Sequence, residues 1–327
     1  MTWNMYPLSR WLAAGFVLAV WGFPATADWK APREALVLRH VGGDIRIFGT
    51  AVPGSPTDLT VPAVPGRLSD AALAQLAEQF GRANVLYSQQ VGLLAPLQSS
   101  KYRTARSIDV HLLPLTKKMG DAGDAVVNYH YRLAPAPVAA LTISLSTRWQ
   151  PGNLTPEHEL FHSYQYAYTY FKNAWFLEGM ARSVQAWFAS AQVLRQVQSG
   201  QQALPGNTEE INALLKKSYD AAPFWTRLRW LCDPACALPP AATPPRGPVC
   251  GGRFVKTVLE EFQTADQQAA KARGIKPPLW TEQEQRSALN NAWMLGALSK
   301  AITRQCPVAS QPELTEFTQV LRQLQLP

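Results

Sequence analysis

Three stretches between residues 100 and 150 alternate apolar and polar positions with a period of two. Ile108, Val110 and Leu112 form one face of the first, and Val127, Tyr129 and Tyr131 one face of the second. In the third, Leu141, Ile143 and Leu145 alternate with Thr142, Ser144 and Ser146. This is the period of a β-strand, and the hydroxyl residues of the third run predict a sheet face that is not fully packed. Short β-like runs at 36–39 and 44–48 precede them. Between the two groups, Leu73, Leu76, Ala77 and Phe80 recur at helical spacing behind Ser69 or Asp70, either of which can cap a helix.

After about residue 150 the pattern turns helical. Thr155 followed by Pro156 reads as a helix start, a hydroxyl cap and then proline in the first turn. The spacing predicts helices over 155–171, 174–197, 208–230, 252–272, 282–304 and 312–325. The expected fold class is α+β: a sheet-rich lobe with one helix over 28–150, then a mainly helical lobe over 151–327, together one functional unit.

The 327 residues are 47% hydrophobic and 17% charged, enough apolar material to exclude wholesale disorder. The net charge of +8 is scattered rather than massed, and no nucleic-acid-binding pattern accompanies it. No apolar run reaches spanning length, which argues against a polytopic membrane protein. The first 27 residues read as a secretory signal. Arg10 supplies the charge, Trp11 to Phe23 the uncharged apolar stretch, and Ala25-Thr26-Ala27 the small residues of a cleavage site. Cleavage after Ala27 would send the chain to the periplasm or outside the cell.

All four cysteines, Cys232, Cys236, Cys250 and Cys306, fall in the part that would be exported. An even number there predicts two disulfides, with three connectivities open; a four-cysteine zinc site is the rival reading. The proline-rich stretch 239–248 lies between Cys236 and Cys250 and reads as a surface loop pinned by a disulfide.

The segment that carries chemistry is His158-Glu159-Leu160-Phe161-His162. Residues four apart stand one above the other on a helix, so both imidazoles can bind one ion from one rigid element. Glu159, one step around, can reach a water on that ion. With 5 histidines in the chain, random placement would produce the pattern in roughly one such sequence in three hundred. Catalytic zinc takes three protein ligands. No histidine follows His162, but Trp175-Phe176-Leu177-Glu178-Gly179-Met180-Ala181 places Glu178 at the start of the next helix. Two helices joined by a short turn can face each other, and the small Gly179 and Ala181 would let them approach closely.

His-Glu-x-x-His followed by Trp-x-x-Glu-Gly-x-Ala resembles the gluzincin metallopeptidases, especially the aminopeptidase-like peptidase MA group. The resemblance covers about 25 residues, Pro156 to Ala181. It implies a zincin-like fold, one Zn2+ held by His158, His162 and Glu178, Glu159 as general base, and a peptide or protein substrate. It also implies an edge strand just before the metal helix, a place that residues 141–146 occupy, though an ordinary sheet strand reads equally well. An oxyanion donor is needed too. Tyr219 is the candidate, since relatives show a tyrosine shortly before an aromatic pair, here Phe224-Trp225; Gln165 and Tyr166, which share a helix face with His162, are nearer alternatives. The chain departs from the pattern in two ways. The gap between His162 and Glu178 is a few residues shorter, demanding a tight connection. Arg182 stands where some members place an acid that orients a histidine, so that partner is unidentified. The expected function is an exported zinc metallopeptidase. The alternatives are a catalytically idle zinc-binding or scaffolding protein on the same fold, or a zinc amidase acting on a non-peptide substrate.

Overall fold

The computed structural model describes residues 29–50, 70–132, 134–189, 202–233, 236, 249–276 and 279–324. The expected signal segment, Ser69 and the 239–248 loop lie outside them. The chain is mixed α+β. The sheet contains β1 (Val37–Gly42), β2 (Ile45–Gly49), β3 (Ser107–Leu113), β4 (Gly120–Ala122), β5 (Val127–Tyr129) and β6 (Val138–Ser146). β1 and β2 form an antiparallel hairpin that turns at Gly43, where φ is +59°. β2, β3 and β6 run parallel, and β4 and β5 both pair antiparallel with the far side of β6.

Strand β6 therefore has neighbours on both sides and is an inner strand. Of the two readings of 141–146 the ordinary sheet strand therefore holds, and the edge position falls to β4, a three-residue strand too short to show any alternation. One face of the sheet carries Ile45, Ile47, Ile108, Val110, Leu112, Leu141, Ile143 and Leu145, all in the main core. The opposite face is also buried, contrary to the reading of Thr142, Ser144 and Ser146 as loosely packed. Their hydroxyls meet polar partners from distant segments. Tyr129 bonds Thr142 at 2.6 Å, Arg33 donates to Ser144 at 2.8 Å, and Ser146 donates to the Leu115 carbonyl at 3.1 Å. Arg33 comes from α1 (Lys30–Glu34), a short helix without an apolar stripe to announce it.

Helix α2 (Asp70–Val85) packs Leu76, Phe80 and Ala83 into the core that also takes α3 (Thr155–Tyr168) and α4 (Ala174–Gln185). Among the described residues six further helices follow: α5 (Thr208–Leu214), α6 (Ala222–Cys232), α7 (Gly252–Arg273), α8 (Glu282–Gln285), α9 (Asn290–Gln305) and α10 (Pro312–Gln323). Two helices expected to be continuous are broken. Over 208–230 a single turn at Tyr219–Ala221 separates α5 from α6, because Pro223 sits in the first turn of α6 and cannot donate the bond that would carry a helix through it. Over 282–304 the Asn290 amide donates to the carbonyls of Glu284 and Gln285, both at 2.9 Å, and ends α8. The helix expected over 174–197 runs as α4 to Gln185 and a tighter turn to Phe188; its remainder lies outside the described residues.

The cysteines pair as Cys232–Cys306 and Cys236–Cys250, which leaves none for a four-cysteine metal site. The first bond ties the end of α6 to the end of α9. The second closes the proline-rich stretch. Among the described residues, no helix is long and apolar enough to cross a membrane.

Candidate metal centre

Helix α3 is buried from Pro156 to Tyr168, so its polar side chains must find partners inside the protein. Its start differs from expectation. Asn153, not Thr155, supplies the cap: its Oδ1 accepts the Thr155 N–H at 2.9 Å. The Asn153 carbonyl accepts from Trp149 Nε1 and Gln79 Nε2, and Gln79 also donates to Glu157 Oε2 at 2.8 Å. At the other end the Lys101 ammonium donates to the carbonyls of Tyr166 and Thr169 and lies 3.6 Å from the Tyr170 ring centroid. A cation there complements the negative end of the helix dipole. The helix is thus fixed at both ends before any ion is considered.

The connection from α3 to α4 is as tight as the short gap requires, residues 169–173. The start of α4 is anchored by Asn173, whose amide donates to the Ser287 carbonyl at 3.0 Å and to Asn291 Oδ1 at 2.9 Å. Trp175 Nε1 donates to the same Asn291 oxygen at 2.9 Å. The Trp225 ring stacks on Trp175 at 5.4 Å and 7° and donates to its carbonyl at 2.7 Å. Such a buried aromatic pair contributes about 1 kcal/mol beyond its area. Glu178 follows one turn later, aimed at α3.

His158, His162 and Glu178 converge. The Nε2 atoms of the histidines are 3.0 Å apart, and Glu178 Oε2 lies 3.1 Å from the first and 3.4 Å from the second. They are the metal-ligand cluster found among the described residues. A tetrahedral ion with bonds of about 2.0–2.1 Å holds its ligand atoms about 3.3 Å apart, so this triangle fits one ion. Burial pushes Glu178 up, but the two imidazoles against it overrule this and hold the carboxyl far below the usual range. Burial lowers His158 despite its bond to Glu178. For His162, burial is outweighed by Glu178 and Glu159, which raise it.

The partner of His162 is Gln165. Its amide nitrogen donates to the Leu177 carbonyl at 3.1 Å, and its oxygen meets His162 Nδ1 at 2.8 Å. A carbonyl can only accept, so the amide orientation is set by Leu177 and Gln165 Oε1 must accept from Nδ1–H. This leaves the Nε2 lone pair turned toward Glu178 and His158. Gln165 therefore orients a histidine and is no oxyanion donor. The sequence placed it on the right helix face; its role depended on the Leu177 carbonyl, which no spacing reveals.

Glu159 is buried beside the cluster. Burial pushes its carboxyl up to about 7, with Asp121 and Glu178 adding to the rise and His162 opposing it. β4 passes directly over it: a Cβ on Gly120 would fall 2.5 Å from Glu159 Cγ and Oε1 and 2.6 Å from Thr155 Cγ2. Tyr219, in the turn before α6, stacks on His158 at 5.6 Å and 26°. Burial and the Glu178 carboxylate push its phenol up, so it keeps its proton at neutral pH. Tyr166 stacks on His162 at 6.0 Å and 22°. Gly179 does not serve the α3–α4 approach as expected: it admits Ala221 and Trp225 instead. Beyond Tyr166, the buried Lys172 ammonium bridges Asp124 at 2.9 Å and Glu282 at 2.7 Å, tying the chain just past β4 to α8.

The chain matches no family model, no curated protein and no solved structure.

Proposed function

We propose that this protein is an exported, zinc-dependent metallopeptidase of the gluzincin type, built on a zincin-like fold. The observation that carries the reading is the triangle of His158, His162 and Glu178 ligand atoms with a buried carboxylate, Glu159, beside it. The three would hold one zinc ion, which when bound supplies Lewis acidity for a carbonyl and acidifies water.

The chain's own residues then divide the work. Glu159, poised near neutrality, takes the proton of the attacking water and delivers it to the leaving amine. Tyr219 donates its phenolic proton to the oxygen that gains charge on the attacked carbonyl. The substrate lies along β4. The Met119 carbonyl and the Gly123 N–H bond to β6, so strand alternation turns the backbone groups of Gly120 and Ala122 to the open edge. An extended peptide can pair there, above Glu159. Two disulfides support an oxidising, extracytoplasmic setting.

The test is a peptide-library digest by the purified chain, with zinc content measured in parallel. Hydrolysis should need the metal and stop with chelator. Glu159→Gln should lower it about 10²–10⁴-fold while zinc stays bound, and His158→Ala should lose the zinc. A chain that holds stoichiometric zinc yet cuts no peptide would instead be a binding protein or an amidase for another substrate.

A further inference from the structure

Arg182 stands one helical turn past Glu178 on α4, so both side chains leave the same face of that helix. It is exposed and makes no hydrogen bond or ion pair with the described residues. Three cations around β4 and its approaches are engaged. Lys118 pairs with Asp121 at 2.6 Å, Lys172 with Asp124 and Glu282, and Arg148 donates to the Thr116 carbonyl at 2.9 Å. Glu178 on that face reaches His158 and His162. An exposed guanidinium one turn along the same face is placed to read an anion on the substrate.

The direction of the substrate follows from the fold and rests on the peptidase reading above. β4 begins at Gly120, against Thr155 at the start of α3, and the chain leaves it at Asp124, tied to Lys172 near Tyr166 at the far end of that helix. A peptide pairing antiparallel to β4 lays its C-terminal side over Gly120. Along α4, Leu177 meets Gln165, Glu178 meets His158 and His162, and Trp187 just past its end packs on Tyr87, which bonds the Glu157 carbonyl, so Arg182 lies toward the start of α3 and shares that end of the cleft. We propose that Arg182 binds a substrate carboxylate on the C-terminal side of the scissile bond, from an acidic side chain or from a free chain terminus. Guanidinium and carboxylate match as a planar two-bond fork, and a solvent-exposed pair of this kind gives about two- to fivefold.

Matched peptides test it: downstream Glu against Gln, and a free C-terminus against an amide. Binding is measured by fluorescence anisotropy on the zinc-loaded Glu159→Gln variant, and cleavage on the native chain. The acid member of at least one pair should bind about two- to fivefold tighter, and whichever pair shows it identifies the carboxylate. Arg182→Ala should erase the preference, Arg182→Glu reverse it, and Arg182→Lys keep part of it. Equal binding of acid and neutral members, or a preference that survives Arg182→Ala, overturns the assignment even if peptides are cut. Selective binding that depends on Arg182 without any cleavage by the native chain leaves it standing and overturns the peptidase reading alone.

Discussion

Gly179 and Ala221 approach so closely that a Cβ on Gly179 would fall 2.7 Å from the Ala221 Cβ, with Trp225 Cδ1 at 3.1 Å. Ala221 closes the turn that presents Tyr219, and Gly179 directly follows Glu178. This contact therefore sets how far the phenol stands from the metal ligands. Gly179→Ala should push the turn outward and carry Tyr219 with it while His158, His162 and Glu178 stay in place. A displacement of about 1 Å at a reacting group costs up to roughly 10²-fold. The expected result is a fall of ten- to a hundredfold in kcat/KM with zinc content unchanged. Full activity in Gly179→Ala would remove Tyr219 from the mechanism.

Gln165 is the next test, because its two bonds do different jobs. The bond to Leu177 fixes the amide, and the bond to His162 fixes the ring. Gln165→Leu keeps the volume and deletes both. Outer partners of metal-binding histidines are typically worth 10–100-fold in metal affinity. Competition with a chelator of known affinity should show that loss. An unchanged zinc affinity would mean that packing alone orients His162.

How much of this was legible beforehand depends on the range of the interaction concerned. The meeting of His158 and His162 follows from helical spacing alone, and that of Glu178 from one further short turn, so the cluster of possible ligands could be read from adjacent elements. Gln165 could be placed on a face but not given a partner, since that partner is a backbone carbonyl on another helix. β4 could not be read at all: Gly120-Asp121-Ala122 is too short for a period, and it exists because β6 offers a free side. Thr142, Ser144 and Ser146 misled for a related reason. A period-two rule equates polar with exposed, whereas here Tyr129, Arg33 and the Leu115 carbonyl satisfy the hydroxyls inside the fold. The break before α6 was missed because apolar spacing continues across it, although Pro223 marked it.

Glu157 gives a pH-dependent prediction. It is fully buried, and burial pushes its carboxyl up to about 7 against the partial relief of its bond to Gln79. Its second oxygen, Oε1, has no hydrogen-bond partner. A carboxyl whose folded pKa lies above its unfolded value of 4.5 favours folding at low pH, and that contribution is lost as pH rises through about 7. The metal-free chain should therefore lose stability relative to Glu157→Gln between pH 4.5 and pH 7, by up to about 3 kcal/mol. Urea unfolding of both proteins at pH 5 and pH 8 measures the difference. If the stability of the native chain minus that of Glu157→Gln does not fall between pH 5 and pH 8, Glu157 is not held above its ordinary range by burial.

The sheet and α3 meet at Gly120, and this contact separates the proposed base, Glu159, from the proposed ligands. A Cβ there falls on the Glu159 side chain at 2.5 Å and on the Thr155 methyl at 2.6 Å, far inside any tolerated contact. Neither histidine is involved, and Glu178 lies on a different helix. Gly120→Ala must therefore move Glu159 or lift β4, and either change spoils the alignment of carboxylate, water and paired peptide. Proton transfer by a positioned base contributes about 10²–10⁴-fold, so most of that factor should disappear from kcat. Zinc should remain at one per chain, which distinguishes this variant from His158→Ala. Gly120→Ala with native kcat would show that β4 yields freely, and that an edge strand this loosely held cannot be what aligns a substrate over Glu159.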